Sequence, residues 1–201
     1  MHIPAAPTQR SVILPFDEAL RPTNDDYDRA VWLYVPDFYT EYRYLLGTRG
    51  TRPLICIGVN PSTAAPGALD NTLKSVQRIA LANGFDSFLM TNVYAQRATR
   101  PDDMDRDCNE ALHRENLAAL RWMLAQAGPS PAIWAAWGTI LEKRAYLKDC
   151  VRDMVAVGKA FDARWLCAGA LSKRGHPHHP LYLRRDEPVR PFDVEGYLDR
   201  L

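Results

Sequence analysis

The chain lacks several features that would point straight to a function. It has no close pair of cysteines: Cys56, Cys108, Cys150 and Cys167 are scattered, so the spacings that ligate zinc or an iron–sulfur cluster are missing and reduced thiols are expected. No run approaches the roughly 18 consecutive apolar residues of a membrane span, and the opening MHIPAAPTQRSV has no signal-peptide core. A cytoplasmic protein without membrane contact is therefore expected. Excess charge is also missing. Lys and Arg number 25 against 24 Asp and Glu, a formal net charge of +1, so any contact with nucleic acid must come from a local basic patch rather than a global field.

What is present suits one well-cored soluble domain. The 201 residues are 47% hydrophobic and 24% charged. Residues 1–25 hold four prolines and little periodicity, which predicts an N-terminal arm packed around Val12, Ile13 and Leu14; residues 26–201 are expected to form a single α/β domain. Residues 31–39 and 40–46 are rich in β-branched and aromatic side chains, and Gly47-Thr48-Arg49-Gly50 follows. An antiparallel strand leading through that turn into residues 54–59 is expected.

Residues 54–59 (LICIGV) are a short apolar run of the kind buried on both faces of a sheet, stopped abruptly by Asn60-Pro61. Ligands of open α/β sheets bind at the carboxyl ends of the strands, so Asn60, Ser62 and Thr63 form a candidate site just beyond one. Pro61 pushes Asn60 towards extended geometry and aims its amide. A plain turn explains the same residues without a ligand.

Residues 72–83 place Leu73, Val76, Ile79 and Ala80 on one helical face, with Asp70 or Thr72 as cap and Gly84 as stop. A second buried strand follows at residues 87–94 (SFLMTNVY). A right-handed βαβ unit would make the two strands neighbours and bring Asn92 beside Asn60. Residues 97–107 read as a solvated loop, although Arg97 and Arg100 could meet phosphates. A helix over 109–127, a strand over 132–137 ending at Gly138, a helix over 139–157 and a short strand over 164–168 complete the pattern.

The last chemically loaded stretch is 172–185, SKRGHPHHPLYLRR. His176, His178 and His179 do not make a convincing metal set, because Pro177 and Pro180 keep the backbone extended and no nearby carboxylate or thiolate completes the ligands; no metal or other cofactor is expected. Lys173, Arg174, Arg184 and Arg185 around His and Tyr suit a surface that meets an anionic ligand. A solvated surface loop is the plainer alternative.

The order of these motifs resembles an uncharacterised bacterial and phage family, domain of unknown function 1643. The resemblance rests on Asn60-Pro61-Ser62-Thr63, Thr91-Asn92-Val93, Trp137-Gly138 and His179-Pro180-Leu181-Tyr182-Leu183, and covers about residues 40–192. At the level of motif order it is also similar to the uracil-DNA glycosylase superfamily, with Gly58-Val59-Asn60-Pro61 resembling the segment whose Asn positions the attacking water. That likeness implies a three-layer α/β/α fold with a mainly parallel central sheet and an N-terminal antiparallel hairpin. It also implies a glycosylase-like N-glycosidic hydrolase acting on a pyrimidine or modified base in DNA. Asn60 and His179 would be catalytic, the latter stabilising the departing base. Gly58, Pro61, Ser62, Thr63, Asn92, Tyr94 and His176 would line the base pocket, Asn92 reading the base's edge. Lys173, Arg174, Tyr182, Arg184 and Arg185 would hold DNA, with Leu181 or Leu183 as a wedge. Two departures stand out. Ser62 replaces the aromatic residue that excludes 5-substituted pyrimidines, which implies a roomier pocket, and no aromatic directly follows the motif to stack on a base. Tyr94, Phe85 or Tyr182 would have to supply that face. The alternative is a protein that binds or processes a nucleotide or nucleic acid in the same crevice by different chemistry, or by none.

Overall fold

The apolar runs become strands, and the structure is a computed structural model that describes residues 6–201. In chain order the elements are α1 (Phe16–Ala19), β1 (Trp32–Val35), β2 (Leu45–Thr48), β3 (Pro53–Gly58), α2 (Asn71–Ala82), β4 (Ser87–Asn92), α3 (Glu110–Gln126), β5 (Ala132–Ala135), α4 (Tyr146–Lys159), β6 (Arg164–Ala168), β7 (Val189–Pro191) and α5 (Val194–Leu198). The seven strands form one mixed sheet in the order β1-β2-β4-β3-β5-β6-β7. The four inner strands β4, β3, β5 and β6 are parallel, while β1, β2 and β7 join antiparallel at the edges.

Parallel strands need cover on both faces. Alternation along the strands sends Ile55, Ile57, Leu89 and Ile133 to the face packed by α1, α3, α4 and α5, and Leu54, Cys56, Phe88, Met90 and Trp134 to the face packed by α2. Burial of Leu73, Val76 and Ile79 contributes about 1.5–3 kcal/mol each, enough to hold a helix of 12 residues that would be marginal alone. Asp70 caps it, accepting from Leu73 N–H at 2.9 Å. Among the described residues no helix is long and apolar enough to cross a membrane.

From β3 the chain crosses through α2 to β4 on one side, then returns through α3 to β5 on the other. Right-handed crossovers in opposite directions place their helices on opposite faces, and the carboxyl end of β3 is the point of reversal.

Several sequence expectations are corrected. β2 does not feed through a tight turn into a pairing with β3; it pairs with β4, with Leu46 opposite Met90. Gly47 belongs to β2 instead of ending it, because a Cβ there would lie 2.2 Å from the Phe88 carbonyl oxygen. The single helix expected over 139–157 is a 3-10 segment, Gly138–Lys143, followed by α4. Arg144 between them is extended and donates to the carbonyls of Met104 and Asp105, contacts that a continuous helix would forgo. In the arm, Val12 is 82% exposed, and Thr8 and Phe16 are buried in its place. Thr8 donates through its backbone and hydroxyl to the buried carboxylate of Asp105. β7 and α5 had no sequence signal, being short segments that find stability only against β6 and the core.

Candidate functional site

The carboxyl ends of β3 and β4 open into a cleft of about 490 Å³. Its walls are residues 58–62 beyond β3, Met90 and Asn92 from β4, the loop at 98–101, residues 70–73 at the start of α2, Ile140, and residues 179, 181 and 182. The volume lies within the usual 300–1,000 Å³ range of small-molecule sites, roughly.

The chain brings Asn60, Asn92 and His179 to this one cleft, although they are far apart in sequence. β3 and β4 are neighbours in parallel register, Gly58 opposite Asn92. Asn60 donates its amide to the Ala98 carbonyl at 2.6 Å and to the Pro61 carbonyl at 3.1 Å, which fixes the side chain and leaves Oδ1 as an acceptor. Asn92 is different. It is 1% exposed, and among the described residues neither its Nδ2 nor its Oδ1 has a hydrogen-bond partner. Asn116 of α3 donates to the Asn92 carbonyl at 2.8 Å and so anchors its backbone, while the amide itself stays uncommitted at the cleft floor. Gly58 makes room for it: a Cβ there would stand 2.9 Å from Asn92 Oδ1 and 2.5 Å from the methyl of Met90. Unpaired buried polar groups are rare because each costs about 1–3 kcal/mol.

His179 is held from both sides. Ser75 on α2 donates to the following Pro180 carbonyl at 2.8 Å, and the Leu181 N–H donates to His179 Nδ1 at 3.3 Å. With Nδ1 accepting, the neutral ring carries its proton on Nε2, which has no partner among the described residues. Burial, and then the neighbouring His178, pull the imidazole's pKa below its ordinary value against the opposing pull of Asp70. The ring is therefore a neutral donor at pH 7.

Of the other sequence candidates, Gly58, Pro61, Ser62, Leu181 and Tyr182 also line the cleft, Tyr182 as an 80% exposed ring at its lip. Thr63 is exposed and faces a small adjoining depression beside Tyr39 and Arg97. His176 lies outside the cleft lining, buried between the Tyr197 hydroxyl at 2.8 Å and Glu142 at 2.9 Å. Tyr94 is buried away from it, its hydroxyl engaged with Asp105 and the Asn109 N–H. Phe85 packs against the core on the α2 face. Arg174 pairs with Glu142 and Arg184 with Glu187, while Lys173 and Arg185 are exposed. The histidines at 176, 178 and 179 do not converge, and among the described residues no group of three or more His, Cys, Asp or Glu side chains is placed to hold a metal.

The model of a protein family of unknown function, DUF1643, matches residues 43–181, more than half of the chain. The chain belongs to the DUF1643 family. No curated protein and no solved structure shows significant similarity. The DUF1643 match starts at one cleft residue, Arg43, and ends at another, Leu181; among the described residues that line the cleft, only Tyr182 falls outside it.

Arg43 is the site residue that sequence reasoning missed. It is 1% exposed and lines the cleft, donating from Nη1 to the Ala64 carbonyl at 2.9 Å, with Nε unpartnered. Burial and the nearby Arg97 push its pKa down to about 9, with Asp70 opposing, so it remains cationic at neutral pH. The available signal was a charged residue inside the otherwise aromatic and aliphatic run Tyr42-Arg43-Tyr44-Leu45-Leu46, since an arginine is rarely buried without a reason.

Proposed function

We propose that the cleft receives a nucleobase and that the protein is a glycosylase-like N-glycosidic hydrolase acting on a pyrimidine or modified base in DNA, on a uracil-DNA glycosylase-like three-layer scaffold. One observation carries this reading: Asn60, Asn92 and His179 line one base-sized cleft, and the Asn92 amide is buried with both its donor and its acceptor free. An amide with both functions can read the edge of a heterocycle that also presents both.

Cleavage of an N-glycosidic bond through an oxocarbenium-like state needs little basicity from the protein, because the sugar carbon is already cationic; orientation of water is enough. Asn60, with its amide nitrogen fixed by two carbonyls, presents Oδ1 to that water. The departing base carries negative charge, and a donor aimed at it in a dry pocket is worth about 3–4 kcal/mol by analogy with oxyanion donors. His179 supplies such a donor through Nε2–H. The exposed Lys173 and Arg185, together with Arg174 and Arg184 once released from their weak surface pairs, would meet phosphates.

The bonds from Asn60 to Ala98 and Pro61 favour a second reading, in which Asn60 is a strap for the 98–101 loop and the cleft binds a nucleotide or nucleic acid without chemistry. Incubation of the purified protein with DNA carrying uracil, hypoxanthine or a 5-substituted pyrimidine separates them. Base release by the wild type, lost in Asn60→Ala with DNA binding and thermal stability retained, supports the hydrolase. Release from none of these substrates by folded protein sinks it, and binding weakened by Asn60→Ala without turnover supports the binding module.

A further inference from the structure

The geometry points to an oxyanion on the cleft's ligand, a phosphate or a carboxylate, received by Arg43 beside the heterocycle that Asn92 reads. This rests on the cleft being a nucleobase site but not on any bond being cleaved there.

Arg43 is a fully buried guanidinium with no carboxylate at ion-pair distance among the described residues. Arg97, buried beside the adjoining depression and also without a carboxylate partner among the described residues, stands close enough to repel it. Both tie down the loop over the cleft, Arg43 through the Ala64 carbonyl and Arg97 through the Ser62 carbonyl. Holding a carbonyl needs only a neutral donor. Two cations placed together out of water are unfavourable unless an anion joins them, and Arg in particular matches the planar geometry of carboxylate and phosphate oxygens. Asp70 lines the same cleft, but it lies beyond ion-pair distance from Arg43, and its Oδ1 caps Leu73. Arg43 and Asn92, each carrying buried polar atoms without a partner among the described residues, thus line one cavity, one suited to an anion and the other to a polar ring edge.

Isothermal titration calorimetry with ligand pairs that differ in charge tests this: thymidine against thymidine 5′-monophosphate, and thymine against 5-carboxyuracil. The anionic member of at least one pair should bind roughly tenfold or more tightly than its neutral partner. Arg43→Gln, which keeps a donor for the Ala64 carbonyl, and Arg43→Met should both reduce that advantage to the neutral level, while Arg43→Lys should retain part of it. Which pair responds identifies the oxyanion as phosphate or carboxylate. Equal affinity within both pairs, binding by no member of either, or an anionic preference that survives in folded Arg43→Gln overturns the inference. Base release without an anionic preference would remove this inference and leave the hydrolase standing; an anionic preference without base release from any substrate would do the reverse.

Discussion

Replacing Asn92 should make the protein more stable and less able to bind. The side chain buries one donor and one acceptor with no partner, while its neighbours Met90 and Gly58 offer no polar atom in exchange. Each unsatisfied group costs about 1–3 kcal/mol. Asn92→Leu has nearly the same shape and removes both, so only minor repacking opposes the gain; Asn92→Ala also removes both but leaves a void, returning about 1 kcal/mol of the benefit as a cavity term of ~24 cal/mol per Å³. A net gain of about 1–3 kcal/mol corresponds to roughly 2–12 °C in Tm for a domain of this size. Thermal unfolding followed by circular dichroism reads the first effect, and titration with uracil-containing DNA reads the second. A fall in Tm of similar size for both variants would show that the amide is satisfied in the folded protein, and the case for a base-reading group would collapse. The opposition of stability and function is the expected mark of a polar group kept unpaired for a ligand.

Gly58→Ala should destabilise the fold by about 1–3 kcal/mol, because its new methyl would meet the Met90 methyl and the Asn92 oxygen, and it should weaken ligand binding as well; urea denaturation and the same titration would show whether the space at Gly58 matters. His179 gives a pH prediction. Its pKa is held below the ordinary histidine value in the folded protein, chiefly by burial, so the unfolded chain takes up the proton first. Its contribution is therefore unaffected above about pH 6.5 and stability is lost as the pH falls from there towards the lower folded value. His179→Gln should flatten that part of the stability–pH profile, and an unchanged profile would refute the assignment.

Short-range patterns made much of the architecture legible. The apolar runs at 54–59 and 87–94 told of buried parallel strands, the spacing of Leu73, Val76, Ile79 and Ala80 gave α2 its buried face, and Asp70 sits where a helix cap belongs. The βαβ rule then put Asn92 next to the end of β3 before any coordinates. Edge elements were not legible, because β7 and α5 are too short for a periodic signal and exist only by pairing with β6 and packing on Trp137 and its neighbours. The break before α4 was equally hidden, since it depends on Arg144 reaching carbonyls some 40 positions earlier.

For the site, local chemistry nominated Asn60 and Asn92, and the resemblance added His179. The resemblance placed both His179 and His176 at the pocket, and the tertiary structure keeps only His179 there, because Ser75 holds the Pro180 carbonyl beside one ring while Tyr197 and Glu142 enclose the other. The tertiary structure alone exposed Arg43 as a cleft residue as well, since an arginine in a strand-like run has no visible partner until long-range packing shows which carbonyl and which cavity surround it. Residue type and spacing determine what a side chain can do and which way a short segment folds. Whether its hydrogen bonds are filled depends on atoms from distant parts of the chain, and the proposal of a ligand in this cleft rests on those unfilled bonds on Asn92 and Arg43.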